Sequence, residues 1–459
     1  MSFLLSFDPP ILLTATLTVG FVDIPGTIQG NGADRGWDNT PVVETTTNVS
    51  SPSGTTMTRP LLPPPVSLTT CGPPSLERRQ TMSGNILVIT SKEDGNSDNT
   101  TSIQTPCAFW LQRKLGKTKD GTIRLGYQLK QQQPTTGESS SFLSTKKWEL
   151  VTDPTGRHTM VTIHIHPSSV LNDTCVTSTS SPQDIAAFAT TVYSPLNELS
   201  ILQHIAQHNN DGNVTHIVGT DLIASSSKNV YAVLPYHRDG TLLDFCQKVG
   251  TLPEPLARFF VRQIVQGLKT LQDAGLCHRN LSLDAILLDE NHVDISKLGW
   301  AMQFNPTAAL DANRPLPPPG GLDPHCIAPE YFSSMRGCWN GFSADLWMTG
   351  LIVFSMVIGS DALFATPVAE DKSFARICIK GDIRGQALRY GSLIGRDLSG
   401  LSDDLTDLLE KMLRADPEQR LSLQQVMEHP WLMAEEVMTA TEYLNTTSAI
   451  SIGSHSQDS

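Results

Sequence analysis

Two short stretches of this 459-residue chain hold polar, chemically versatile side chains within apolar, strand-like surroundings. One is HTMVTIHIH at 158–166, in which His164 follows Val161, Thr162 and Ile163. Imidazole is short and largely neutral near pH 7. The other is GLCHRNLSLDAILLD at 275–289, followed by VDISKLGWA at 293–301. It contains His278, Arg279, Asn280, Ser282 and Lys297. Asn280 can hydrogen-bond, but a carboxamide cannot accept a proton as a general base does. Ala285 and Lys297 cannot bind Mg²⁺, since one lacks a donor atom and the other is itself a cation. The eight cysteines, Cys71, Cys107, Cys175, Cys246, Cys277, Cys326, Cys338 and Cys378, form no CxxC pair. They read as reduced thiols in a cytosolic or nuclear setting, not as a disulfide framework or a zinc site.

Positioning such groups needs ordered elements, and these begin near residue 108. Residues 23–107 are rich in Ser, Thr, Asn, Gly and Pro, and Trp37 is their only aromatic residue. Such a segment buries too little apolar area to offset backbone ordering, roughly 1–2 kcal/mol per residue. The extension 1–107 is therefore expected to be mostly disordered. Its PLLPPP patch at 60–65 reads as a stiff spacer, with a ligand for a proline-binding domain as the alternative. Strand-like runs follow at 108–115 and 122–129, flanking a hairpin candidate, KTKDG, at 117–121. Further strands are expected at 147–151, 158–166, 214–222 and 230–236, with one helix at 195–207. Beyond 235 helices dominate. Residues 256–272 place Phe260, Ile264, Leu268 and Leu271 at helical spacing, and 343–358 is apolar nearly all round, as a buried central helix would be. Helices are also expected at 401–413 and 423–427. A small antiparallel sheet with one helix, then a larger helical block, gives an α+β class with two lobes and a cleft. No run of 18 apolar residues exists, so no transmembrane helix is expected. The start has no Lys or Arg before Arg35 and is interrupted by Asp8-Pro9-Pro10, so no signal peptide is expected either.

Five segments, in order, resemble the protein kinase fold. They are 275–289, similar to the catalytic loop HRDLKPEN and its following strand; 293–301, in the place of the strand entering DFG; Ala328-Pro329-Glu330, an intact APE; SADLWMTG at 343–350, similar to the central helix; and DPEQRLSLQQVMEHPWL at 416–432. The last is most similar to the closing helices of the calcium/calmodulin- and AMP-activated kinase group. The resemblance covers 108–432, with a small lobe at 108–234, a helical lobe at 235–432 and a flexible tail at 433–459.

The resemblance also implies roles. Asp345 would brace the backbone at His278 and Arg279, Gly299 would keep the DFG glycine, and Glu330 with Arg420 would form a buried ion pair. His278, Leu202 and Leu298 would stack as a spine. The positions of chemistry are degenerate: His164 stands for the phosphate-binding lysine, Asn280 for the catalytic aspartate, Ser282 for the catalytic-loop lysine, and Ala285 and Lys297 for the two metal ligands. A nucleotide cleft would be lined by Gly137, Thr162, His164, Glu198, Leu234, Leu287 and Lys297. Of the GxGxxG pattern, GESSSF at 137–142 keeps one glycine, and Cβ atoms hinder close approach of backbone amides to phosphates. A His164–Glu198 contact and a surface-facing Glu198 are both open. Lys146 or Lys147 is an alternative phosphate group, and Lys297 an alternative cation mimic. Between 308 and 330 there is no Ser, Thr or Tyr, so the usual activation-segment phosphorylation has no acceptor there.

Losing a general base alone typically slows a reaction by ~10²–10⁴, and lost metal neutralisation adds to this. The resulting expectation is a pseudokinase: a scaffold or allosteric regulator in phosphorylation signalling. The alternative is an active, non-canonical ATP-dependent serine/threonine protein kinase. No cofactor is expected, ATP without Mg²⁺ being the one mode left open. Expected partners are proteins, an active kinase or its substrate. With 46 Asp+Glu against 33 Lys+Arg, a net charge of −13 argues against nucleic acid, and no membrane role is expected. The expected location is cytoplasmic, with nuclear also open.

Overall fold

β-Branched and aromatic residues in alternation form strands in the first part of the chain, and 3.6-residue apolar periodicity forms helices in the second. The computed structural model describes residues 16–22, 86–92, 107–118, 121–131, 148–168, 195–208, 215–220, 222–226, 228–303, 326–331, 340–359 and 363–454. These divide into two compact units. The first comprises Met1–Ile165 with Ala224–Tyr231, and the second His166–Ile223 with Ala232–Ser459.

The first unit is built on antiparallel strands β1 (Thr16–Val22), β2 (Ile86–Lys92), β3 (Cys107–Thr118), β4 (Gly121–Gln131), β5 (Trp148–Leu150) and β6 (Met160–Pro167). Their order is β1-β2-β3-β4-β6, with β5 pairing β4 off this path. Within the span expected to be mostly disordered, the run ILVITSK is thus a strand, because its apolar residues have a partner sheet: Ile86, Leu87 and Val88 are fully buried. Trp148 packs with Ile86, Val88, Ala108 and Leu129 as a core on this sheet. β4 lies against β6 in the register Ile123↔His164 and Leu125↔Thr162.

Along the chain the second unit begins with helix α1 (Pro195–His208). Two strands follow, β7 (Leu222–Ser225) and β8 (Asn229–Pro235), which complete the sheet path through Ala224–Tyr231. The expected strand at 214–222 does not form as one piece. His216 has a left-handed backbone (φ 60°), which interrupts an extended run, and a single parallel bridge, Ile217↔Ile295, remains before β7.

Helices α2 (Leu242–Val249) and α3 (Glu254–Asp273) come next. Thr241 caps α2 in a reciprocal capping box with Asp244. The buried stripe of α3 includes Phe260, Ile264, Leu268 and Leu271. Short strands β9 (Leu276–Cys277), β10 (Ile286–Asp289), β11 (His292–Ile295) and β12 (Met302–Gln303) make two small hairpin-like pairs, β10 with β11 and β9 with β12. Helix α4 (Gly341–Val357) is buried nearly all round. Helices α5 (Ile383–Ile394), α6 (Asp403–Met412), α7 (Leu423–Met427), α8 (Pro430–Met433) and α9 (Ala440–Ser454) follow.

Helix α1, expected in the sheet lobe, groups with the helical unit. The reason lies in its first turn. Asn197 Nδ2 donates to the carbonyls of Gly299 (3.1 Å) and Ala301 (2.8 Å), which ties α1 to the turn Leu298–Trp300. Among the described residues no helix is long and apolar enough to cross a membrane.

Candidate functional site

The polar centre of the helical unit is a loop held from below by α4. Asp345 accepts the backbone N–H of His278 through Oδ2 and that of Arg279 through Oδ1, both at 2.7 Å. These bonds hold Arg279 in a left-handed conformation (φ 67°) that a non-glycine residue rarely adopts. Burial pushes the Asp345 carboxyl up to about 7, while the two donated N–H groups oppose that shift.

His278 is fully buried, and its partners settle its tautomer. Nε2 lies 2.8 Å from the Ser296 carbonyl and must donate, while Nδ1 accepts the N–H of Asn280 at 3.2 Å. Burial brings its pKa down to about 4. A neutral imidazole with both nitrogens engaged holds the loop and has no free nitrogen for proton transfer.

The turn Leu283–Ala285 and the segment entering Leu298–Trp300 bring three of the singled-out positions, Ser282, Ala285 and Lys297, together with Asp284. Lys297, in a left-handed conformation (φ 61°), forms an ion pair with Asp284, and Ser282 Oγ donates to the other oxygen of that carboxylate. Ala285 is fully buried, and its carbonyl accepts both the backbone N–H and the hydroxyl of Ser296, each at 2.8 Å. For Asp284, partial burial raises the pKa, but hydrogen bonds from Lys297 and Ser282 and the Lys297 charge outweigh it, leaving the carboxyl below its ordinary value. Asp284 was missed by sequence reasoning. Its only signal was an acid two residues beyond Ser282, and nothing local couples it to Lys297, thirteen residues on.

This donor set does not fit a divalent cation. Ala285 has no ligand atom, Lys297 carries like charge, and Asp284 is already engaged by an ammonium group. Asn280 is half-buried, and Leu287 forms an isolated bridge with Thr241 at the entry to α2. Leu234 and Glu198 are buried.

Within the sheet-bearing unit, Thr162 and His164 share the less buried face of β6, while Val161, Ile163 and Ile165 face the core. Gly137 lies outside the described residues. The hairpin beside β6 is β3–β4, whose pairing ends at Thr118↔Gly121. Gly121, beside Thr122 at the start of β4, thus lies next to the strand of His164, while residues 119–120 and GESSSF at 137–142 lie outside the described residues. The hairpin signal, KTKDG at 117–121, was legible in the sequence, and the strands that flank it do pair.

Further down the helical unit, Arg420 meets Glu330 in a two-pronged ion pair, at 2.9 and 2.6 Å, with both side chains almost wholly excluded from water. Arg420 also donates to the carbonyls of Arg414 and Ser343 and stacks 4.9 Å from the Trp347 ring. These bonds satisfy a guanidinium that would be costly to bury alone. Residues 304–325, including most of the segment without hydroxyl acceptors, lie outside the described residues.

Comparison with known proteins agrees with this architecture. The protein kinase domain model matches residues 186–432. The chain is similar to "Serine/threonine-protein kinase ATG1c" of Arabidopsis thaliana, 31% identical over 245 residues, covering 52% of this chain and 29% of that protein. It is also similar to "Serine/threonine-protein kinase ULK3" of Homo sapiens, 27% identical over 269 residues, covering 57% of this chain and 50% of that protein. With "Probable serine/threonine-protein kinase HSL1" of Saccharomyces cerevisiae it shares 26% identity over 320 residues, covering 70% of this chain and 19% of that protein. The chain thus spans no more than half the length of these relatives.

Proposed function

Because the chain belongs to the protein kinase domain family and has its two-lobed α+β fold, we propose that it is a pseudokinase, a binding or allosteric component of phosphorylation signalling. The observation that carries this reading is the Lys297–Asp284 ion pair. Phosphoryl transfer depends on positioning and on neutralising phosphate charge with metal ions. Here the two positions that resemble metal ligands are an apolar, buried alanine and a lysine, and the nearest carboxylate is paired to that lysine. Asn280 supplies a hydrogen bond but no base. The partners that suit such a protein are an active kinase or its substrate, met in the cytoplasm, and any nucleotide would enter without Mg²⁺.

A second reading is an active serine/threonine protein kinase. What favours it is that the relatives above carry that name. Under this reading Asp284 would have to leave Lys297 and serve the reaction itself.

Incubation of the full chain with labelled ATP, a generic protein substrate set, and Mg²⁺ or Mn²⁺ separates the two. The expected result is incorporation at background level, equal in wild type and in Lys297→Ala. Thermal melts with ATP should be unaffected by added Mg²⁺. Incorporation above background that disappears in Lys297→Ala, in protein free of contaminating kinases, would reverse the assignment.

A further inference from the structure

We propose that His216, His292 and Asp294 form a zinc site in the helical unit, made without Lys297 or Asp284 and independent of the reading above. One ligand atom from each residue lies within 4.8 Å of the others. A tetrahedral zinc ion with bonds of about 2.0–2.1 Å sets its ligand atoms about 3.4 Å apart. The three groups are therefore within about 1.5 Å of bonding separation, and the side chain of His292, about half-exposed, can move to close the gap.

The surroundings prepare each ligand. His216 Nδ1 lies 2.8 Å from the Val293 carbonyl, to which it donates, so Nε2 carries the lone pair. A ring nitrogen donating to a backbone carbonyl, with the other left for the ion, is the usual arrangement of a metal-bound histidine. Asp294 Oδ2 is 2.9 Å from His237 Nε2, a buried partner that orients the carboxylate, while Oδ1 is 3.0 Å from His292 Nε2. Zinc would replace the proton that His292 now shares with Oδ1, and that proton would leave to solvent. The rings of His216 and His292 stack, with centroids 4.9 Å apart, so the exposed His292 ring must turn for both in-plane lone pairs to meet the ion.

Charge points the same way. On the β10–β11 hairpin, Asp289 pairs with His292 and Leu287 with Asp294, so Asp289, His292 and Asp294 share one face. Asp289 Oδ1 is buried there without a hydrogen-bond partner. A buried, unsatisfied carboxylate oxygen on the same face as the His292 imidazole and a second carboxylate favours a nearby cation. Two nitrogens and an oxygen suit zinc better than Mg²⁺ or Ca²⁺, which prefer oxygen alone. The backbone is shaped for this meeting. His216 is left-handed, and Gly267 of α3 lets the 216 backbone come so close that a Cβ would lie 2.5 Å from its carbonyl oxygen. The ion would pin the 215–220 segment to β11.

The test uses the full-length chain, stripped with a chelator and dialysed against Zn²⁺ in the low micromolar range. One bound zinc per chain is expected by elemental analysis. Substituted Co²⁺ should give the visible absorption of a tetrahedral site, and added Zn²⁺ should raise the melting temperature. His292→Gln, at a half-exposed position that folding tolerates, should weaken binding about tenfold or more and remove both the Co²⁺ band and the thermal shift. His216→Asn, which keeps a residue tolerant of left-handed backbone, should do the same. Absence of stoichiometric zinc in wild type, or binding equally strong in both variants, would overturn the proposal.

Discussion

Arg420 and Glu330 remain charged in the interior because each is the other's partner, and one cannot be removed without stranding the other. Glu330→Ala should lower unfolding stability by about 3–5 kcal/mol, since an unpaired guanidinium would remain buried; urea denaturation reads this directly. A loss below 1 kcal/mol would mean that the carbonyls of Arg414 and Ser343 suffice. His278 and Asp345 pull in opposite directions with pH. The His278 pKa falls from 6.5 to about 4 on folding, so as pH drops through that window the unfolded chain takes up its proton first and stability is lost. The Asp345 pKa rises from 3.8 to about 7, so its own contribution makes the fold more stable as pH drops over its window. Comparing wild type with His278→Leu isolates the imidazole. Between pH 6.5 and 4 the wild type should lose stability relative to the variant, by up to about 1.4 kcal/mol per pH unit. Parallel pH profiles would mean that His278 is not held neutral.

At the scale of elements, close approach decides more than propensity. Alanine is normally better than glycine within a helix by about 1 kcal/mol. At position 267 the opposite is expected, because the added carbon would meet the His216 carbonyl at 2.5 Å and Ile295 Cδ1 at 2.9 Å. Gly267→Ala should therefore lower the melting temperature, with overpacking of about 1–3 kcal/mol outweighing the helical gain; a raised melting temperature would show that α3 can shift away. Helices whose apolar residues recur every third and fourth position were legible, and α3 was expected at 256–272 and is found at Glu254–Asp273, whereas α2 and α5 were not expected and α9 forms within the stretch read as a flexible tail. The expected strand at 214–222 was misread because left-handed backbone at His216 leaves no trace in a hydrophobic pattern. The placement of α1 was hidden too, since the bonds from Asn197 reach carbonyls about a hundred residues away.

For the molecule as a whole, the order of segments carries the family, and the relatives extend well beyond the matched region. The labelled-ATP experiment is decisive at this scale because it reports on all the altered positions at once, whose effects need not add. Residue identity alone settled that Asn280 is no base, that Ala285 has no ligand atom and that Lys297 is a cation, because those are properties of side chains wherever they stand. Periodicity settled the α+β class, because burial of one face imposes its repeat on the sequence. Folding alone decided that Lys297 meets Asp284, that β4 pairs with the strand of His164, and that His216 reaches His292 and Asp294. Each of these is a meeting of residues distant along the chain, set by backbone geometry and packing, and no local pattern encodes a distance through space.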